Sequence, residues 1–298
     1  MTILCAGCFT GVESTPKITG KEVKRQNVVD TPEKHVLDSL KIPAPVNWIT
    51  GKRFYIADNR AARAAWSIEP FLNSDSISGR TAILEEATTV PTLTDKEEVQ
   101  LTFSVPDIET TIVYRTGLTL EAWNNADSYN LPHIIDLDLI DKVREILINR
   151  TFYILPARRI GHNNIDTIGT RYQPVTILDV QPYSESSPFR LIFKDDEGHV
   201  SSILMTYGDL TTSRRNFETL FTIENPRQKY KHITDTNWEL IRHGRIARGM
   251  TPEECRLALG PPDNYYRIPT TAGMVERWTY TNGVYLVFEE GLLASFRQ

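Results

Sequence analysis

Apolar and polar positions along this chain set up three stretches of different character. In the first two thirds the apolar residues come in short β-rich runs, separated by loops of Gly, Pro, Ser and Asp. Those runs occur twice. Gly51-Lys52-Arg53-Phe54-Tyr55-Ile56 corresponds to Asn149-Arg150-Thr151-Phe152-Tyr153-Ile154, and Thr81-Ala82-Ile83-Leu84-Glu85 to Val175-Thr176-Ile177-Leu178-Asp179. Leu101-Thr102-Phe103 then matches Leu191-Ile192-Phe193, and Thr111 to Leu118 matches the stretch ending at Leu210. Blocks in constant order at nearly constant spacing read as an internal repeat. The expectation is two tandem small β-barrels or rolls, of Src-homology-3-like architecture. Thr31-Pro32 caps a short helix bearing Val36, Leu37 and Leu40. Leu139, Val143, Ile146 and Leu147 mark a second helix of about a dozen residues between the repeats, expected to pack on both.

From Thr234 onward the spacing turns helical. Thr251 is an N-cap, Pro252 occupies the first helical position, and Glu254 completes a capping box. Cys255, Ala258 and Leu259 share one face, and Gly260 with Pro261-Pro262 stops the helix. The helix upstream carries the same marks: Thr236 with Glu239 as a box, Trp238 and Ile241 as the buried face, Gly244 as the stop. After residue 275 the period becomes two. Trp278 and Tyr280 lead into Asn282-Gly283, a two-residue hairpin signal. Val284, Leu286 and Phe288 then share a face, Glu290-Gly291 turns again, and Leu292, Ala294 and Phe296 form the last strand. Two helices covering a three-stranded meander would bury both apolar faces.

Gly249-Met250-Thr251, Glu254, Leu259-Gly260 with Pro262, Trp278 with Tyr280, and Phe288 through Gly291 resemble the SmpA/OmlA (BamE-like) family of small outer-membrane lipoproteins. The resemblance is confined to this terminal segment. It implies two helices on a three-stranded antiparallel sheet and a place in the bacterial envelope. The family's role in outer-membrane protein assembly does not carry over with the fold.

Composition narrows the rest. The 298 residues suffice for two or three cores, and a net charge of −5 speaks against a nucleic-acid partner. No apolar run approaches the roughly 20 residues of a membrane-spanning helix. The start of the chain suggests an anchor instead. Ile3-Leu4-Cys5-Ala6-Gly7-Cys8 looks like the tail of a bacterial lipoprotein signal, with small residues before the Cys8 that would carry the lipid. It departs from the usual pattern in the position of Leu4 and in lacking a basic segment upstream. Phe9 to Asp30 is polar and unpatterned, like a tether.

Candidates for chemistry are few. Asp136, Asp138 and Asp141 form an acidic group, best read as complementing a helix N-terminus rather than holding a metal. Asp195-Asp196-Glu197-Gly198 is a hairpin turn, too short for a calcium loop. The histidines are scattered, and Arg158-Arg159 and Arg214-Arg215 read as solvated loop charges. Cys255 reads as a small buried hydrophobe. Tyr265-Tyr266, placed in a loop after the second terminal helix, is the candidate binding edge.

The fold class expected is mainly β with an α+β C-terminal domain. The divisions are a leader and tether over 1–30, a first β-barrel-like repeat over 31–130, a connecting helix with the second repeat over 131–232, and the terminal domain over 233–298. The functional expectation is a non-catalytic lipoprotein of the cell envelope, without cofactor, metal or catalytic residues. It would be anchored by lipid to the outer membrane and would act through contacts with an envelope protein. An envelope hydrolase using paired carboxylates on glycan, and an inhibitor or ligand-binding module, are the alternatives left open.

Overall fold

Alternating side chains build three curled antiparallel sheets in the computed structural model, which describes residues 32–70, 77–93, 96–161, 164–207, 215–270 and 273–297. The fold is mainly β. Cys8 and the 1–30 segment lie outside the described residues, as does Thr31. Residues Glu33–Gln298 belong to one compact unit.

The first sheet contains β1 (Arg53–Ile56), β2 (Ser67–Glu69), β3 (Thr81–Pro91), β4 (Glu97–Val105), β5 (Thr110–Arg115) and β6 (Ile134–Asp136), in the order β2-β5-β4-β3-β1-β6. The second contains β7 (Thr151–Ile154), β8 (Arg158–Gly161), β9 (Asp166–Ile168), β10 (Pro174–Ser184), β11 (Ser187–Asp195), β12 (Val200–Met205) and β13 (Phe221–Thr222). Its order is β13-β7-β10-β11-β12-β8-β9. In β4 every second residue from Val99 to Val105 is buried, as period two demands.

Strands of the two sheets match pairwise. β3 and β10 each have 11 residues, β4 and β11 each have 9. A bulge interrupts the pairing between Leu84 and Glu86 in one and between Ile177 and Asp179 in the other. Each first strand is preceded by a left-handed residue, Gly51 (φ +89°) or Asn149 (φ +59°). Their N–H groups donate to Leu84 O at 2.8 Å and to Ile177 O at 2.9 Å. The register corrects the block alignment by one residue: Phe54 faces Ala82 where Phe152 faces Val175. Ala82 is therefore the counterpart of Val175, and Leu84 of Ile177. A one-residue slip would turn this whole set of side chains away from the core.

Packing also crosses the division expected at 130/131. β6 pairs with β1 and so completes the first sheet with residues from beyond that boundary. Conversely, Leu37 and Leu40 pack into the second sheet's core with Phe152, Phe189 and Phe193. Glu33, 8% exposed, accepts hydrogen bonds from Thr222 Oγ1 (2.7 Å) and Ile223 N (2.9 Å). This opening segment is a 3-10 turn over Pro32–His35. The connecting helix spans Leu137–Leu147 and buries Ile140, Val143 and Leu147.

The terminal sheet has four strands where three were expected: β14 (Asn264–Thr270), β15 (Gly273–Thr279), β16 (Tyr285–Glu289) and β17 (Leu292–Arg297), paired in sequence order. The extra strand β14 contains Pro269 and follows Pro261-Pro262, which masked its strand character. Helices Asp235–Arg242 and Pro252–Leu259 pack on this sheet around Trp278, Leu286, Phe288, Ile241 and Cys255. The Thr251–Glu254 capping box is present in both directions. Asn282-Gly283 forms a three-residue loop rather than a two-residue one. Tyr280 N donates to Val284 O at 2.9 Å, Gly283 N returns to Tyr280 O at 3.0 Å, and only Gly283 of the pair takes positive φ (+83°). The two-residue turn with both φ positive is Glu290-Gly291, at +49° and +79°. A bulge near Phe288 puts Leu293 rather than Leu292 into the core.

The first terminal helix is capped by Thr234, whose Oγ1 accepts from Asn237 N at 3.2 Å; Thr236, assigned as the cap by sequence, lies within the helix. Both are threonines two residues apart, so composition alone does not separate them. Thr234→Ala is expected to lower stability by about 1 kcal/mol, and Thr236→Ala to stay within about 0.5 kcal/mol of wild type, by urea denaturation followed at 222 nm ellipticity.

Candidate functional site

Where the first two sheets meet, the acidic group found in the sequence is matched by cations. Lys52 stands at the foot of β1 with its side chain 4% exposed. Its Nζ donates to Asp136 Oδ1 at 2.8 Å and to Asp138 Oδ2 at 2.6 Å. Asp136 Oδ1 also accepts from Asp138 N at 3.0 Å and so caps the Leu137–Leu147 helix. Asp141 bonds Arg53 at 2.7 Å and, one turn on, Arg144. Arg144 in turn reaches Asp179 Oδ1 (2.8 Å) and Val180 O (2.6 Å) at the second sheet's bulge. Burial opposes the Arg144 charge, but Asp179 and Asp141 outweigh it and hold the guanidinium above its ordinary value. Burial likewise opposes the Asp179 charge, and Arg144, Gln181 and Val180 N hold that carboxyl below its usual range. Among the described residues no group of three His, Cys, Asp or Glu side chains could hold a metal ion.

Beside this charge array lies a cavity of about 220 Å³. Its wall includes Trp48 and Tyr129 from loops of the first sheet, Leu139 of the connecting helix, and Pro188 and Tyr207 from the second sheet's side. Trp48 sits at the centre of an aromatic group, with its ring 5.1 Å from Phe54, 5.5 Å from Trp123 and 6.3 Å from Tyr129. The polar tips are tied down: Tyr129 Oη donates to Thr116 O at 3.1 Å and Tyr207 Oη to Leu40 O at 2.5 Å. Burial pushes both phenols above their ordinary value, with Glu98 adding to the effect at Tyr129 and Asp38 at Tyr207. Asp136 and Glu185 also line the cavity. Glu185 Oε2 accepts from His133 N at 3.3 Å and lies 3.1 Å from His133 Nδ1. No periodic signal announced this site, because its walls come from separate loops, strands of both sheets and a helix.

Tyr265 and Tyr266 are not in a loop but in β14, which among the described strands pairs only with β15. They are 63% and 59% exposed, so neither packs beneath the chain. On the face shared by Tyr266, Ile268 is 42% exposed; Tyr285 on β16 is also 42% exposed. Arg267 on the opposite face is held by Glu276 at 2.8 Å.

Other candidates resolve into structural roles. Asp195 Oδ1 accepts from Glu197 N and His199 N, at 3.1 and 2.8 Å, and so shapes the hairpin turn. Each described histidine, His35, His133, His199, His232 and His243, lies beside a carboxylate; His162 is outside the described residues. Arg158 and Arg159 lie in β8 rather than in a loop; Arg158 is exposed as expected, but Arg159 is 3% exposed, a correction to its reading as a solvated charge. Its guanidinium bonds Thr170 O and lies so close over Gly169 that a Cβ there would stand 2.3 Å from Cζ. Desolvation lowers the Arg159 pKa. Arg215 is exposed, and Arg214 lies outside the described residues. Cys255 is fully buried, and burial, with Glu254 next to it, pushes its thiol up to about 12. No protein-family model, curated protein or solved structure matches the chain.

Proposed function

We propose that this protein is a non-catalytic lipoprotein of the bacterial cell envelope, anchored by lipid at Cys8 to the outer membrane and acting through contacts with an envelope protein. The observation that carries the contact surface is β14, an edge strand with two tyrosines more than half exposed. A partner segment in extended form would add alongside it, with backbone hydrogen bonds giving affinity and Tyr266, Ile268 and Tyr285 giving side-chain contact. Pro269 limits that pairing to the first part of the strand. The membrane contact rests on the Ala6-Gly7-Cys8 pattern, and the acidic balance speaks against nucleic acid. We read the two curled sheets as tandem Src-homology-3-like rolls from a duplicated segment. Their matched strand lengths, bulges and left-handed lead residues support this. The 233–298 module we read as SmpA/OmlA-like with an added edge strand, on the strength of its capping box and hairpin residues.

One experiment addresses both halves of the reading. A photo-crosslinking residue is placed at Tyr266, or at exposed Glu121 as a control, in cells fed a palmitate analogue. The expected result is a discrete crosslinked species from position 266 only, and lipid label that disappears with Cys8→Ala. Equal labelling of the Cys8→Ala chain would remove the anchor, and identical crosslinks from both positions would remove the β14 contact.

A further inference from the structure

The cavity between the first two sheets is a different surface from the β14 edge, and its chemistry is one-sided. Its wall is mostly aromatic and aliphatic. The charged side chains among its described lining residues are Asp136 and Glu185, both acidic. Lys52 stands nearby but divides its charge between Asp136 and Asp138. That trio keeps an excess of negative charge. Among the described residues both hydrogen bonds of Asp136 are accepted by Oδ1, and none by Oδ2. Glu185 is half exposed, at 54%, and borders the cavity from the second sheet's hairpin.

We propose that this cavity binds a small organic amine, with its ammonium against Asp136 and Glu185 and its apolar body against Trp48 and Tyr129. A cation desolvated beside carboxylates gains charge-assisted hydrogen bonds, and the aromatic wall covers the apolar body. An anion of the same shape meets like charge. At about 220 Å³ the space is smaller than the roughly 300–1,000 Å³ that encloses a drug-sized ligand, so it suits a single-ring amine.

The probes are phenethylamine, its neutral relative ethylbenzene and its acidic relative 3-phenylpropionate, titrated into the full chain. Tryptophan fluorescence and amide NMR shifts are followed. The expected result is saturable binding of phenethylamine with shifts centred on residues 129–139 and 185–188, about tenfold weaker binding of ethylbenzene, and none of the acid. Glu185→Gln, an exposed position that leaves the fold intact, should weaken the amine about tenfold and leave ethylbenzene unchanged. Leu139→Phe, which fills the cavity, should abolish both. Equal affinity for the amine and either relative, shifts centred elsewhere, or no saturable change would overturn the proposal.

Discussion

Replacing Lys52 with methionine should cost about 3–5 kcal/mol of stability, although the new side chain is apolar and of similar length. The reason lies in what is left behind. Asp136 is 15% exposed on its side chain and would lose the ammonium at 2.8 Å, while Asp138 would lose the one at 2.6 Å. Two carboxylates would then face each other at the start of the connecting helix with only its N-terminal dipole to offset them. The nearby Arg53–Asp141 pair provides the contrast. Its side chains are 51% and 39% exposed, so Arg53→Met should cost less than about 1 kcal/mol. Urea denaturation of both variants tests the difference. Adding Asp136→Asn and Asp138→Asn to Lys52→Met should recover much of the loss, because asparagine still caps the helix and no carboxylate remains unpaired. If Lys52→Met and Arg53→Met are equally mild, Asp136 and Asp138 do not depend on the buried ammonium as described.

Trp278→Ala should remove about 3–5 kcal/mol from the terminal module. The indole is fully buried, packs on Phe288 with ring centroids 4.8 Å apart, and donates from Nε1 to Glu276 Oε1 at 2.5 Å. Alanine leaves a cavity under both helices and deprives Glu276 of that donor. Trp278→Phe should cost clearly less, since it keeps most of the volume. Hydrogen exchange of β15 and β16 amides gives the local readout, with near-complete loss of protection expected only for alanine. Retained protection in Trp278→Ala would mean that this core does not depend on the indole.

Local chemistry made the terminal helices and hairpins legible. A Thr-Pro-x-Glu sequence specifies its cap within four residues, and the burial of Val284, Leu286 and Phe288 follows from simple alternation. The choice between Thr234 and Thr236 was not legible, since each is a competent cap and the decision rests on where Ile233 and Trp238 pack. Bulges were equally silent. The shift at Phe288 that buries Leu293, and the paired shifts in β3 and β10, leave alternation looking intact on either side. Tyr265 and Tyr266 were found as residues but assigned to the wrong kind of segment, because prolines on both sides of the pair suppress the strand signal. The amine-sized cavity was invisible for a more general reason. Trp48, Tyr129, Leu139 and Tyr207 become neighbours only when two sheets and a helix come together.

Glu33 meets Thr222 and Ile223 across 189 and 190 positions of chain. On a ribosome adding about 5–20 residues per second, Glu33 is therefore made roughly ten to forty seconds before its partners exist. The first sheet is likewise missing an edge until Ile134–Asp136 has been made. Synthesis thus runs ahead of closure at both places. Until the second sheet has been made, Leu37 and Leu40 have no core to enter, so the order of synthesis delays the closing of this unit.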